Sequence, residues 1–342
     1  MTAGTDERAR LVELLFGFFP AQLIQTMAQL RVPDELADGP LPVEALAQRT
    51  GTHPPSLERL LRAGTGLGLV TLEVDGTYAL AAAGKLLCSG APGSISNLAR
   101  IFCGDVVWRA WGELEYSVRT GEPSFEKVTG SSVFAHLAED PEMLAVFTEA
   151  MAEGSRIAAP GVVASCDLDG RSALVDVGGG NGTLLAAFLA AHPRLRGVLF
   201  DTADGLGDAA QVLAASGVAD RCEAVVGDFF EVVPAADAYV LKSVIHDWDD
   251  ERSVEILTRV RQAMPPHAVV FVVEPVLPED ADGLGREPAM LMSDLNMLVC
   301  TGGRERTGPE FDALLAAAGL RLVSSIRVPP PTGFSVLRAV PA

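Results

Sequence analysis

Two rhythms of apolar residues alternate along the second half of the chain. Runs that are apolar at nearly every position fall at 174–177, 198–201, 222–226, 238–243 and 268–274. Such short, unbroken runs predict strands buried on both faces of a parallel sheet. The segments between them predict helices, so residues 169–342 are expected to form an open, mostly parallel α/β sheet with right-handed crossovers. A last helix is expected at 309–318. The runs at 320–328 and 333–339 lie too close together for a crossover, which predicts a hairpin and one antiparallel edge strand.

Upstream the rhythm is helical. Residues 11–30 are apolar, and Pro20 is expected to kink or divide that helix. Shorter helices follow at 41–51, stopped by Gly51, and at 54–63, opened by Pro54-Pro55. Strand-like runs at 69–74 and 77–80 flank Asp75-Gly76, a strong hairpin signal. Helix, turn, helix, hairpin is a winged-helix order. Two further helices are expected over 95–119 and 133–159, joined by Gly121-Glu122-Pro123-Ser124. Met143, Phe147 and Met151 recur every fourth residue and share one helical face. Such a stripe belongs to the core unless the helix covers a ligand site, when it lines a pocket.

Composition narrows the partners. At 342 residues the chain is long enough for two cores. Its net charge of −19 argues against duplex nucleic acid and anionic membranes. The winged-helix order therefore reads as a dimerisation module, and the apolar helix near residue 20 needs a partner either in its own domain or on a second subunit, so a dimer is expected. Cys88, Cys103, Cys166, Cys222 and Cys300 are odd in number and widely spaced, as expected of reduced thiols in the cytoplasm. Asp6 and Glu7 precede the first apolar stretch, unlike a signal peptide, and no uninterrupted apolar run reaches the roughly 18 residues needed to span a bilayer.

The chemistry gathers where the predicted strands end. Asp-Val-Gly-Gly-Gly-Asn-Gly at 176–182 follows the first strand and precedes a helix-forming run. Gly178, Gly180 and Gly182 give G-x-G-x-G, whereas a dinucleotide fingerprint wants its third glycine where Thr183 stands. The spacing suits S-adenosylmethionine (SAM), which has no pyrophosphate to cradle; a tight structural turn is the plainer reading. Asp201 ends the second strand, where an acid reaches a ribose diol. Asp228 and Phe229 end the third, placed to take an adenine amino group and ring. His246 follows the fourth, and an imidazole is suited to taking a phenolic proton near neutral pH. Trp248 stacks near the nucleobase or simply packs; Asp249 and Glu251 read as helix-capping charge, with Asp247 left open. Glu274 and Glu305 are the two candidates to orient the histidine, with a surface ion pair to neighbouring arginines as the plainer fate of Glu305. No metal is expected, because His246-Asp247 lacks a third ligand at recognisable spacing.

These motifs make the chain similar to the SAM-dependent small-molecule O-methyltransferases, among them caffeate, isoflavone and hydroxyindole enzymes and the bacterial enzymes that methylate antibiotic aromatics. The likeness is most specific at 176–182, 227–230, 242–250 and 302–307. It implies a Rossmann-like methyltransferase sheet. Gly178, Asp201, Asp228, Phe229 and Lys242 would bind SAM, with Ser155 at the methionyl end and S-adenosylhomocysteine as product. His246 would be the base, beside Glu274 and Glu305. Asp247, Asn296 and Met297 would face a small aromatic acceptor, with Phe147 and Met151 on its lid. The N-terminal helices would build an intertwined homodimer. The expected division is a winged-helix-like dimerisation domain over 1–95, a connecting and lid region over 96–168, and a SAM-binding catalytic domain over 169–342. Asp201-Thr202-Ala203-Asp204 departs from relatives that carry proline soon after the acid. Rival readings are a C- or N-methyltransferase, a SAM-binding hydroxylase or decarboxylase, and a winged-helix regulator that senses a small molecule.

Overall fold

Glycine, more than proline, sets the first boundaries. In a computed structural model describing residues 3–342, the apolar segment near the N-terminus forms helices Ala3–Leu15 and Phe18–Gln29. The break falls at Phe16-Gly17, not at Pro20, which sits in the first turn of the second helix, where a missing N–H removes no helical bond. Helices Val43–Thr50 and Pro54–Gly66 lead into strands β1 (Val70–Leu72) and β2 (Tyr78–Leu80), paired antiparallel around Asp75-Gly76. Met27, Val32, Leu46, Leu61, Val70 and Tyr78 form their shared core. Leu11, Leu14, Leu15, Phe18 and Phe19 are exposed instead. The stretch Asp6–Gln29 is apolar and long enough to cross a membrane on length and composition, despite its divided helix.

The chain forms two compact units, one reaching Asp105 and one from Val106 onward. The helices expected over 95–119 and 133–159 are subdivided. The first becomes Ser96–Phe102, Asp105–Gly112 and Leu114–Thr120, and the second becomes Val133–Glu139 and Pro141–Ser165. At the later break, Asp140 accepts from the N–H groups of Glu142 and Met143 and Pro141 takes the first helical position, so a new helix starts there.

The second unit holds the large sheet. Its strands are β3 (Ala173–Val177), β4 (Arg196–Asp201), β5 (Cys222–Val226), β6 (Ala238–Lys242), β7 (Val269–Leu277), β8 (Arg306–Thr307), β9 (Leu320–Arg327) and β10 (Phe334–Pro341). Their order is β5-β4-β3-β6-β7-β10-β9, with the short β8 pairing parallel to the end of β7. The sheet is mostly parallel, as its apolar runs predict. The antiparallel strand is β10, and it lies one place in from the edge: the hairpin folds so that its second arm satisfies β7 and its first arm, β9, is left outside.

Side chains alternate across the sheet. Leu174 of β3 joins a core with Leu185, Phe188 and Leu199 on one face, while Val175 and Val177 join Tyr239, Ile256 and Phe311 on the other. The central strands β3, β6 and β7 are covered on both faces and leave their ends open to a ligand, whereas β5, expected to be buried, lies at the edge of the sheet and is largely exposed, with Val226 at 63%. The carboxyl ends of β3, β4, β5 and β6 therefore define where chemistry occurs.

Candidate active site

The turn after β3 is bare backbone. Gly178, Gly180 and Gly182 all have positive φ, at 68°, 56° and 81°. A Cβ on Gly178 would lie 2.8 Å from Val244 Cγ2 and 3.7 Å from Phe229 Cε1, so that position admits no side chain. A Cβ on Gly180 would meet no heavy atom within 4 Å, which leaves room for a ligand against the main chain. Asp201 closes the turn from the next strand tip, its Oδ2 accepting from the Gly180 N–H at 2.8 Å and its Oδ1 from the Thr202 N–H at 2.7 Å. Burial raises the Asp201 carboxyl above the usual range, against these hydrogen bonds. Beneath it Asp176 is buried with Oδ2 unpartnered, and burial, then the Asp201 charge, push it up to about 7.

The third and fourth tips supply rings and a charge. Asp228 is exposed and accepts from the Phe230 N–H at 2.8 Å. Phe229 meets Phe230 edge-on at 4.9 Å and Trp248 at 6.2 Å, and Phe134 stacks on Trp248 at 6.1 Å. Gly178, Phe229 and Trp248 are thus brought to one place. Lys242 ends β6 with its Nζ donating to Ser243 Oγ at 3.2 Å and lying 4.8 Å over the Phe334 ring. Burial lowers its pKa, opposed by the charges of Glu274 and Asp176.

Just beyond Lys242 the chain turns sharply at Ser243, whose φ is +55°, into a single 3-10 turn, Ile245–Asp247. That turn carries His246 into a ring of acids. Its Nδ1 lies 3.1 Å from Glu305 Oε1 and 3.5 Å from Glu274 Oε2, and its side chain keeps only 12% exposure. The two glutamates differ in their anchorage. Glu274 Oε1 accepts the Val244 and Ile245 N–H groups at 2.9 and 2.8 Å, so it braces the turn. Glu305 Oε1 also accepts from Ser293 Oγ at 2.7 Å, so it is the one hydrogen-bonded to the imidazole. The surface-pair alternative for Glu305 does not arise: Arg304 pairs with Glu310 and Arg306 with Asp250.

Burial opposes charge on His246, but the Glu274 carboxylate, then the Glu305 hydrogen bond, outweigh it and raise the imidazole to about 10. Burial likewise pushes Asp247 up to about 7, against the pull of His246. With Nδ1 committed to carboxylates, Nε2 is the nitrogen left to exchange a proton. The ligand atoms of His246, Glu274 and Glu305 lie within 4.8 Å of one another, near enough to hold a cation, although Glu274 Oε1 is already taken by two main-chain donors.

The remaining predicted residues fall on two helices. Phe147, Met151 and Ser155 lie on Pro141–Ser165, all half-buried, and neither apolar residue belongs to the buried core. A Cβ on Gly207, in the loop after β4, would stand 3.7 Å from Thr148 Cγ2, so this helix does pass over the nucleotide-side loops. Asn296 and Met297 lie on Pro288–Cys300 with Ser293 and Cys300, one helical face whose Ser293 reaches Glu305. Sequence reasoning missed Trp111, whose Nε1 donates to Asn296 Oδ1 at 3.0 Å, along with Phe134, Ser293 and Arg306. Only Ser293 carried a signal, being one turn from Asn296. Asp249 accepts from the Arg252 N–H at 2.8 Å and caps the helix Asp250–Ala263, as expected.

A glycine turn with Thr183 where a dinucleotide fingerprint carries its third glycine, then acids at the following tips, suits a nucleoside rather than a dinucleotide, the arrangement of a Rossmann-like methyltransferase. Known proteins narrow this further. A family described as the O-methyltransferase domain matches residues 111–321, and the O-methyltransferase dimerisation domain matches residues 12–90. A phenazine O-methyltransferase of Lysobacter antibioticus is 41% identical over 97% of this chain and 95% of its own length. An 8-amino-8-demethylriboflavin N,N-dimethyltransferase of Streptomyces davaonensis is 37% identical over 89% of this chain and 87% of its own. The crystal structure of an O-methyltransferase from neocarzinostatin biosynthesis, in complex with SAM and 2-hydroxy-5-methyl naphthoic acid, superposes with a TM-score of 0.79. It is 32% identical and covers 94% of this chain and 96% of its own. The chain belongs to the O-methyltransferase family, and its cofactor is SAM.

Proposed function

We propose that the enzyme methylates a hydroxyl of a small aromatic natural product, with His246 as the general base. The contact between His246 Nδ1 and Glu305 at 3.1 Å carries this reading, because it fixes the ring with Nε2 free. Gly178, Asp201, Asp228, Phe229 and Trp248 hold the nucleoside: the Asp201 carboxylate takes the ribose, and Phe229 and Trp248 flank the base. Ser155 serves the methionyl end. Lys242 contributes through charge, its buried ammonium balancing Asp176 and Glu274. When bound, SAM would supply a methyl group activated by its sulfonium charge.

Phe147, Met151, Asp247, Asn296 and Met297 face the acceptor. Trp111 occupies the Asn296 carbonyl, which leaves the amide N–H groups to donate. Holding acceptor and donor in line supplies the larger part of the rate, and His246 takes the hydroxyl proton as the bond forms. The protein works as a homodimer joined through its N-terminal helices, supported by the dimerisation-domain match and the exposed apolar side chains there. Five free thiols support a cytoplasmic setting.

Incubation with methyl-labelled SAM and a panel of phenols tests the reading. Wild-type protein transfers label to oxygen, and His246→Ala loses about 10²–10⁴-fold in rate. Full activity in that variant would remove the base. The riboflavin-type relative favours one second reading, transfer to nitrogen, which mapping the labelled atom decides.

A further inference from the structure

Arg306 has the largest of the fully buried side chains. Its guanidinium binds the loop that carries His246 at several points. Nη1 donates to Ile245 O at 3.2 Å, and Nη2 donates to Trp248 O at 2.8 Å and Ser253 Oγ at 3.3 Å. Nε and Nη2 reach Asp250 Oδ1 at 2.9 and 2.8 Å, and Nη1 lies 3.4 Å from Arg304 O. Ile245 and Trp248 bracket the single helical turn on which His246 sits; Ile245 O also accepts from the Trp248 N–H at 3.3 Å and from Ser253 Oγ at 3.2 Å, so the guanidinium reinforces a turn closed by one main-chain bond. The Arg306 main chain, meanwhile, pairs with Val276 on β7, the strand that bears Glu274. Its neighbour is Glu305. One residue is therefore fastened to the strand of one glutamate, covalently joined to the other, and bonded to both ends of the histidine's turn. The Arg304 N–H adds a bond to His246 O at 2.9 Å within the same seam.

We infer that Arg306 is a positioning residue that holds the imidazole against Glu305 and so sets the proton affinity of the base. This rests on His246 being that base. A lysine at this place would keep the charge but not the planar fork, and would hold one of the two carbonyls at most. Asp250 neutralises the buried cation, so loosening the fork acts through geometry, not through a stray charge.

The test compares wild type, Arg306→Lys, Glu305→Gln and the double variant, with SAM affinity from calorimetry and kcat measured against pH. Arg306→Lys is expected to lower kcat about tenfold or more, since small misplacements of reacting groups cost on that scale. Its SAM affinity stays within about threefold, and the acid limb of its profile moves to lower pH as the imidazole slips from its acids. The double variant is expected to be no slower than Glu305→Gln alone, because both changes act through one contact. Wild-type kcat and profile in Arg306→Lys, or losses that multiply in the double variant, would overturn the inference. If Arg306→Lys does not fold, Ser253→Ala decides: it removes an uncharged acceptor of the fork and leaves the Asp250 pairing in place, and the same direction of change supports the role while an unchanged profile removes it. Should His246→Ala stay active, the base reading fails instead, whichever way the arginine variants behave.

Discussion

With His246 as the proposed base, its proton is expected to set the pH at which the enzyme turns over. In the free protein the imidazole is raised to about 10 by Glu274 and Glu305, so it is largely cationic at neutral pH and must lose that proton to act as a base. Turnover per enzyme and acceptor, kcat/KM, is therefore expected to climb with pH well above the ordinary imidazole range, with an acid limb that Glu305→Gln shifts downward toward 6.5. A rate profile over the alkaline range checks it; an unshifted limb in that variant would detach Glu305 from the base. The stability consequence has the opposite slope. A group whose folded pKa is raised adds stability that is complete below its unfolded pKa, near 6.5, and is lost as pH rises through about 10. Activity gains and stability losses thus share one window. Single residues of this kind were partly legible in the sequence, since a histidine after a buried strand stands where a ligand sits. The choice between Glu274 and Glu305 was not, because it depends on which carboxylate spends its oxygens on the Val244 and Ile245 N–H groups.

The strands and the turns between them differ in how openly they are written. Strands declare themselves through apolar runs, and every one expected in the second half is present. Helix breaks at Gly17 and Asp140 were hidden, because a helical rhythm passes through a cap without losing phase. Hardest to read was the seam formed by residues 302–306, whose shape is set by the backbone it touches rather than by its own pattern. Gly303 shows why. A Cβ there would lie 2.0 Å from His246 O and 2.5 Å from Asp247 C, both main-chain atoms that have nowhere to yield. Gly303→Ala is expected to push this seam from the histidine's turn, at a cost of about 1–3 kcal/mol in stability. The same displacement should lower kcat about tenfold or more. Thermal unfolding and initial rates on one preparation measure both, and an alanine variant with wild-type kcat would show that the seam does not set the base.

For the molecule as a whole, the open question is what covers the N-terminal helices. A net charge of −19 opposes association with nucleic acid and anionic lipid, while Leu11, Leu14, Leu15 and Phe19 are each more than half exposed, at 59, 68, 64 and 54%. Two helices rich in such side chains meet the length and composition of a membrane span. Yet the dimerisation-domain match begins at residue 12, inside this same stretch. Apolar surface of this kind is stabilised by burial at roughly 25 cal/mol per Å², and a second copy of the chain offers the same surface in return. Replacing Leu15 and Phe19 together by glutamate places two charges in that contact without touching the core around Met27 and Leu61. The expected outcome is a monomer in sedimentation analysis where the wild type is a dimer, with the sheet of the second unit still folded by circular dichroism. A wild-type dimer that survives both substitutions would move the interface away from these helices, and vesicle binding by the wild type would assign the exposed face to lipid instead.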